Sequence, residues 1–398
     1  MQHVFLNVLQ ANRISMGERL DPLTTGRLAE AKRITALLER GEGFSLVRLG
    51  DFDLAYLLAA ESGFSGKLFP DDDVISGTEG KGSPGLDSSH AARLRASLEH
   101  ADYVDFWDLQ WKDGSLIGRL SLHRSPGTTR NPTRETSFIL PTWLECEFKG
   151  YCQHRRVLFC GAEAPLLQEL IDSPAYREIS RDYWPDDCQA FFLRPREDGR
   201  NLARNLDGIK QDLVEAIKRW EIDTLFLSLG GGAKILCCEL ARELGVRAID
   251  FGAFTRSLTY SGSDGNRASR STHTVYLFRV PFGIYMDAVE KAYPDLRPEE
   301  LLAKAHAQLL LDAQKKETGW THSAGEYDFS QENVIHFEEA FSMYRSRYAH
   351  LFNHSAITRK ERADFLHFCG THKLTCEGVL FITWFKIKSA LNIILKRF

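Results

Sequence analysis

Asp223-Thr-Leu-Phe-Leu-Ser-Leu-Gly-Gly-Gly-Ala-Lys-Ile-Leu-Cys-Cys-Glu-Leu-Ala-Arg-Glu-Leu-Gly-Val-Arg-Ala-Ile-Asp-Phe-Gly252 decides the fold. Its first seven residues form a nearly uninterrupted apolar run of strand length, the pattern of a parallel strand covered on both faces. Strong helix formers follow from Ala233 to Leu244 with apolar residues at helical spacing, and Gly245 stands where a C-terminal cap is common. Val246 to Asp250 then begins another strand. A strand, helix and strand in this order predict a βαβ unit. Its glycine turn, Gly230, Gly231, Gly232 and Ala233, sits at the helix N-terminus, where free N–H groups and aligned peptide dipoles favour an anion such as phosphate. Lys234 adds a full positive charge there. The spacing matches neither G-x-G-x-x-G nor G-x-x-x-x-G-K-[ST], which disfavours a hydride-transfer cofactor and a P-loop. The same glycines also suit a tight strand-to-helix turn with no ligand.

Far upstream, Ser45-Leu-Val-Arg-Leu-Gly-Asp-Phe-Asp53 has a related design. A helix over about Leu28 to Leu38 and a Gly41-Glu-Gly43 break precede a strand from Phe44 to Leu49, and a further helix starts at Asp51. Asp51 and Asp53 therefore lie at a helix start, where acidic residues also serve simply as caps. As oxygen donors they suffice for magnesium or manganese, which commonly take one or two protein carboxylates and fill their remaining positions with phosphate and water. Arg48 is a candidate for orienting a carboxylate or contacting phosphate, or for an ordinary ion pair.

The pairing of SLVRLGDFD with LFLSLGGGAKILCCELARELGVRAIDFG resembles the bacterial GT-D-type glycosyltransferases. That family carries an R-[FY]-G-D-G-E motif and a later L-G-P-T-A-x-x-L-A-x-x-L followed by A-I-D-I-G. The resemblance covers about residues 25 to 260. It implies a Rossmann-like fold, a nucleotide diphosphate sugar as donor and a divalent metal at the acidic motif. On this mapping Asp51 and Asp53 take the family's Asp and Glu, Gly230 to Lys234 match the glycine turn, and Asp250 matches the aspartate of the final strand. Arg155-Arg-Val-Leu-Phe-Cys-Gly-Ala-Glu163 looks like the family's preceding strand, which makes Glu163 a candidate for the polar lining. The chain departs from the pattern at Phe52, where the family has glycine, at Asp53, one methylene shorter than glutamate, and at Ala253, where the family often has histidine.

Bulk properties set the class. The chain has 398 residues, 43% of them hydrophobic, enough for two domains and a core. Fifty Lys and Arg against 54 Asp and Glu, a net charge of −4, give no support for nucleic acid as the principal partner. The first residues lack a positive n-region, so export is not expected and the expected location is cytoplasmic. The eight cysteines read as reduced thiols.

Alternating strands and helices extend the α/β reading: a helix from His90 to His100, a strand near Tyr103 to Trp107, a strand and helix from Val157 to Asp172, a strand from Gln189 to Leu193 and a helix from Leu206 to Trp220. The expected fold is a mostly parallel, Rossmann-like sheet flanked by helices over residues 1–265, with a smaller, mainly helical region over 266–398 that binds acceptor, mediates oligomerisation or contacts a membrane. Residues 67–89 read as a long loop whose Asp71-Asp-Asp73 is a solvated acidic turn or a rival metal cluster. Trp107, Trp111, His123 and Arg124 suit sugar contact or ordinary packing. Arg256 to Ser271 reads as a linker or a mobile loop over phosphate, His273 to Val280 as a strand, and Pro298–Lys315, Gln331–Arg347 and Thr358–Cys369 as helices. His367, Cys369, His372 and Cys376 are four potential soft-metal ligands whose spacing matches no standard zinc pattern, so simple packing with a helix-ending glycine competes with a structural zinc. Residues 378–398 align Leu380, Trp384, Ile387, Leu391, Ile394 and Phe398 beside Lys386, Lys388, Lys396 and Arg397, as for a helix lying on an anionic membrane or docked on protein.

The expected activity is transfer of a sugar from a nucleotide diphosphate sugar to a glycan, glycolipid or glycoprotein acceptor, assisted by Mn²⁺ or Mg²⁺ at Asp51 and Asp53. Asp250 and Glu163 are the candidates for the catalytic base, while Arg48, Gly230 to Ala233 and Lys234 bind the donor. Two other classes compete. A methyltransferase would use Cys160-Gly-Ala-Glu163 as its cofactor turn without needing the aspartate pair, and a noncatalytic scaffold of a glycan assembly complex would tolerate its loss.

Overall fold

In the computed structural model, described over residues 25–41, 43–49, 53, 57, 90–106, 139–195, 205–261, 277–318 and 330–351, the apolar runs become the strands of one sheet. The chain order is α1 (Thr25–Leu38), β1 (Phe44–Leu49), α2 (Ala91–Glu99), β2 (Tyr103–Phe106), α3 (Leu140–Cys146), α4 (Phe148–Cys152), β3 (Arg156–Gly161), α5 (Ala164–Asp172), α6 (Pro174–Ser180), β4 (Gln189–Leu193), α7 (Leu206–Trp220), β5 (Thr224–Ser228), α8 (Gly231–Leu244) and β6 (Arg247–Asp250). A 3-10 turn, Gly252–Phe254, leads into α9 (Thr255–Thr259), and α10 (Phe282–Ala292), α11 (Pro298–Thr318) and α12 (Ser330–Tyr348) follow. The chain divides into two units, Met1–Leu258 and Thr259–Phe398.

In the first unit the six strands are all parallel, in the order β2-β1-β6-β5-β3-β4. Parallel strands need crossover helices, and these cover both faces of the sheet. Side chains alternate accordingly. Val47, Leu49, Leu158, Cys160, Leu225, Leu227 and Ala248 join α2, α7 and α8 in one core. The residues between them build an aromatic layer on the other face, in which the Phe226 ring lies 4.9 Å from both Phe159 and Phe251 and Trp143 and Phe148 pack beside it. Each such aromatic pair adds about 0.5–1.5 kcal/mol beyond its buried area. The α/β fold with a parallel sheet is therefore as the sequence pattern predicts.

One close approach fixes where β1 enters the sheet. Helix α8 ends at Gly245 in the left-handed conformation (φ 67°), and the chain before β1 crosses that end at Gly43. A Cβ on Gly43 would overlap the backbone carbonyl oxygen of Ala241 and come within 3.1 Å of the Gly245 Cα. Backbone cannot swing aside as a side chain can. Gly43→Ala is expected to destabilise the protein by about 1–3 kcal/mol, read as a lower urea midpoint with an unchanged slope.

Several expectations need correction. Residues 256–261 are not a loose linker: α9 runs through Thr259, and Ser257, Thr259 and Ser261 are almost wholly buried. Hydroxyl-rich composition looks the same whether the segment is solvated or packed. Leu277, Phe278 and Val280 are buried, as an apolar run demands, yet residues 277–280 form no strand. Burial gave them the pattern of a strand without a ladder partner among the described residues. Helices α3, α4, α6 and α10 were not expected. Asp51, Phe52, the 67–89 segment, Trp107, Trp111, His123, Arg124, residues 262–276, Thr358–Cys369, His367 to Cys376 and residues 378–398 lie outside the described residues. Among the described residues no helix is long and apolar enough to cross a membrane, and the cysteines are free thiols, with Cys152, Cys160, Cys237 and Cys238 buried.

In the second unit α11 packs on α12, and α10 packs on both. His306 Nε2 and the Tyr344 hydroxyl share a hydrogen bond of 2.7 Å, and burial lowers the His306 pKa to about 4. In the unfolded chain the ring titrates near the ordinary value of about 6.5, so between these values the folded state binds fewer protons. Its stability is fully present above about pH 6.5 and is lost as the pH falls toward 4. With the residue only half-buried, water at its edge limits the loss to about 2–3 kcal/mol. Urea unfolding at about pH 7 and about pH 4 should show this loss in the wild type and a smaller one in His306→Gln.

Candidate functional site

The candidate residues gather at the carboxyl ends of the strands. From β3 the chain leaves toward β4, and from the adjacent β5 it leaves in the opposite direction toward β6. Right-handed crossovers then place α5 and α8 on opposite faces, and the loops after β3 and β5 diverge. This reversal is the place where an open parallel sheet offers a ligand crevice. Gly161 to Glu163 lie at the end of β3 and Ser228 to Gly230 at the end of β5.

Asp250 is the last residue of β6 and is paired in register with Leu227 of β5. By alternation it faces the same side as Ala248, toward α8. One turn into that helix stands Lys234, whose Nζ lies 3.0 Å from Asp250 Oδ2 and 3.3 Å from Asp53 Oδ2 and donates to the Gly230 carbonyl at 3.4 Å. All three charged residues are buried: Asp250 is 1% exposed, Lys234 6% and Asp53 7%. Burial alone would lower the Lys234 pKa, but attraction to Asp250 and Asp53 outweighs it and raises the value above the ordinary one. Lys234 is therefore a charged ammonium held between carboxylates.

Arg48 closes this group from β1. Its backbone N–H donates to Asp250 Oδ2 at 3.2 Å, while its guanidinium lies over the Phe254 ring at 4.6 Å. Gly252 (φ 51°) lets the chain turn there, and a Cβ on it would come within 3.1 Å of Arg48 Nη2 and 3.7 Å of Asp250 Oδ1. Asp250 Oδ1 is buried and has no hydrogen-bond partner among the described residues.

The glycine turn explains itself locally. Gly230 adopts φ 56° and ψ −136°, a conformation open essentially to glycine. No side chain caps α8, so the N–H groups of its first turn, at Gly231 and Gly232, receive no side-chain acceptor from the cap position. Gly232 also packs close to α7, where a Cβ would come within 2.9 Å of Leu206 Cδ1. This is the anion-binding geometry expected of a helix N-terminus.

Glu163 belongs to a second group. It ends the β3 loop without capping α5, and its Oε1 accepts from Arg256 Nε at 2.7 Å. Beside it Ser228 and Thr255 share a hydroxyl hydrogen bond of 2.6 Å. Gly161 permits this close approach of β3 and β5, since a Cβ would fall 2.8 Å from Ser228 Cβ. Arg256 and Thr255 were missed as site residues. Their signal was position, directly after Ala248-Ile-Asp-Phe-Gly252, where a basic side chain returns to the strand ends.

The residues admit a divalent cation by one observation. Oδ2 of Asp53 and Oδ2 of Asp250 converge on the Lys234 ammonium, and the Oδ1 oxygen of Asp250 has no hydrogen-bond partner among the described residues. Hard oxygen donors of this kind suit magnesium or manganese. The described residues contain no group of three or more His, Cys, Asp or Glu able to hold a metal; Asp53 and Asp250 are the two carboxylates that meet there.

Comparison of the chain with protein-family models, with curated proteins and with solved structures found no match.

Proposed function

We propose that the chain is a glycosyltransferase that moves a sugar from a nucleotide diphosphate sugar to a glycan, glycolipid or glycoprotein acceptor. One observation carries the reading. At the carboxyl end of an all-parallel sheet, Asp53, Asp250 and Lys234 form a buried ion cluster beside the glycine-opened, uncapped N-terminus of α8. A diphosphate brings the anion that such a helix end accepts, and the neighbouring carboxylates supply what a diphosphate's counter-ion requires.

In this reading the N–H groups of Gly231 and Gly232 hold diphosphate oxygens as negative charge grows on the leaving group. Asp51 and Asp53, with Asp250 as a further oxygen donor, would hold Mn²⁺ or Mg²⁺, which when bound neutralises part of that charge. Arg48 fixes Asp250 through its backbone N–H. If configuration inverts, a base must take the acceptor hydroxyl's proton. Glu163 is better suited than Asp250: its side chain is 22% exposed and anchored by Arg256, whereas Asp250 is enclosed and engaged by Lys234. The reaction is assigned to the cytoplasm, with residues 378–398 supplying contact with the inner membrane face.

The test is release or transfer of sugar from nucleotide diphosphate sugars, with and without Mn²⁺, for the wild type and Asp51→Ala. Turnover should fall by about 10²-fold or more on chelation or substitution. Equal turnover under all these conditions would sink the metal part of the reading. Binding of S-adenosylmethionine in place of every sugar nucleotide would favour a methyltransferase.

A further inference from the structure

We infer that Lys234 is a resident cation that competes with a divalent metal for the seat between Asp53 and Asp250. The inference rests on the transferase reading only for the identity of the ligand that ends the competition, a nucleoside diphosphate.

Two carboxylate oxygens from separate parts of the chain, Asp53 Oδ2 and Asp250 Oδ2, meet at one point, and the point is filled by an ammonium at 3.3 and 3.0 Å. Oxygen atoms converging in this way are what a hard divalent ion also requires, at the shorter distance of about 2.0–2.1 Å for magnesium. The ion and the ammonium cannot share the seat, because two cations at that separation in a buried site repel strongly. The cluster nevertheless keeps acceptor capacity beyond what Lys234 uses. Lys234 engages the Oδ2 atom of Asp250, and Asp250 Oδ1, in a side chain almost wholly enclosed, receives no hydrogen bond among the described residues. Buried acceptors of this kind ordinarily have a partner.

Lysine suits a displaceable occupant. It is a point charge on a flexible four-carbon stem, whereas an arginine fork would fix both carboxylates in one geometry. Lys234 also stands in the first turn of α8, so the helix end that would receive phosphate oxygens is one turn away. A bound diphosphate offers the ammonium a second anion there, and the vacated carboxylates then face the metal. Metal affinity should accordingly depend on the nucleotide in the wild type and be released from that dependence when the lysine charge is removed.

The experiment titrates Mn²⁺ alone into the full-length wild type and Lys234→Gln, following the free-ion paramagnetic resonance signal, and repeats both titrations with uridine and guanosine diphosphate. Lys234→Gln should bind Mn²⁺ alone about tenfold or more tightly than the wild type, and a diphosphate should tighten Mn²⁺ binding in the wild type by a similar factor. Equal Mn²⁺ affinity of the two proteins without nucleotide would overturn the competition. Should Lys234→Gln be too unstable at rest, Mn²⁺ alone should raise its melting temperature in a concentration-dependent way and leave the wild type unmoved, and a shift in neither would overturn the inference as surely. A gain of Mn²⁺ affinity in Lys234→Gln, with neither protein binding any nucleoside diphosphate, would support the competition and overturn the transferase reading instead.

Discussion

Replacing Asp250 with alanine is expected to lower the unfolding free energy by about 3–5 kcal/mol, a large share of the stability of an ordinary domain. The loss has two sources. Lys234 would remain buried with Asp53 as its one counter-charge among the described residues, and the Arg48 N–H would lose its acceptor inside the sheet. Leaving a buried charge underpaired costs far more than the pair contributes over an apolar substitute. Asp250→Asn separates the two sources, because the amide oxygen still accepts from Arg48 while the charge is gone. It should cost roughly half as much, on the order of 2 kcal/mol. Urea unfolding of both variants measures this, and an Asp250→Ala cost no larger than that of a surface substitution would mean that the cluster does not hold the strand ends together.

Glu163→Gln should reduce turnover by about 10²–10⁴-fold, the span associated with a lost general base, while donor affinity changes little. Glutamine keeps the size and an oxygen for the Arg256 hydrogen bond, so the loop after β3 should stay in place. A variant that instead weakens donor binding without slowing the bound complex would make Glu163 a positioning residue. Fold loss is not expected, since the Glu163–Arg256 pair is partly exposed and such pairs contribute at most about 1 kcal/mol.

Much of the first unit could be read from the chain because local burial patterns suffice there. Phe44–Leu49, Gln189–Leu193 and Leu206–Trp220 have the same bounds in the sequence reading and in the structure. Each is an apolar or amphipathic run with clear turn residues on either side. Helix α8 begins at Gly231, before its first strong helix former, because Gly230 supplies a turn that the propensity scale does not register. Strand order was not legible. Which strands become neighbours is a long-range choice, and here β1 lies beside β6 although most of the unit's chain separates them. Helices α3 and α4 escaped for a different reason. They are short, and Leu140, Trp143 and Phe148 are all wholly enclosed, so no amphipathic period marks them.

The candidate site divides in the same way. The glycine turn and Asp250 carry their placement in sequence, since a strand end and a helix start can be recognised locally. The partner of Lys234 does not. A lysine at the opening of a glycine-capped helix reads as a phosphate ligand, and only the three-dimensional return of β1 and β6 brings Asp53 and Asp250 against it. Arg256 was likewise hidden in a Ser- and Gly-rich stretch whose first residues turn out to be packed against the strand ends.

The central claim is that this cluster and helix end serve a nucleotide diphosphate sugar. Calorimetric binding of a panel of uridine, guanosine, thymidine and adenosine diphosphate sugars to the full chain, in the presence of Mn²⁺, tests it most directly. The account predicts that at least one of these donors binds and that Asp53→Ala weakens that binding by about tenfold or more. Absence of binding by every donor in the panel, or binding that Asp53→Ala leaves unchanged, would contradict it.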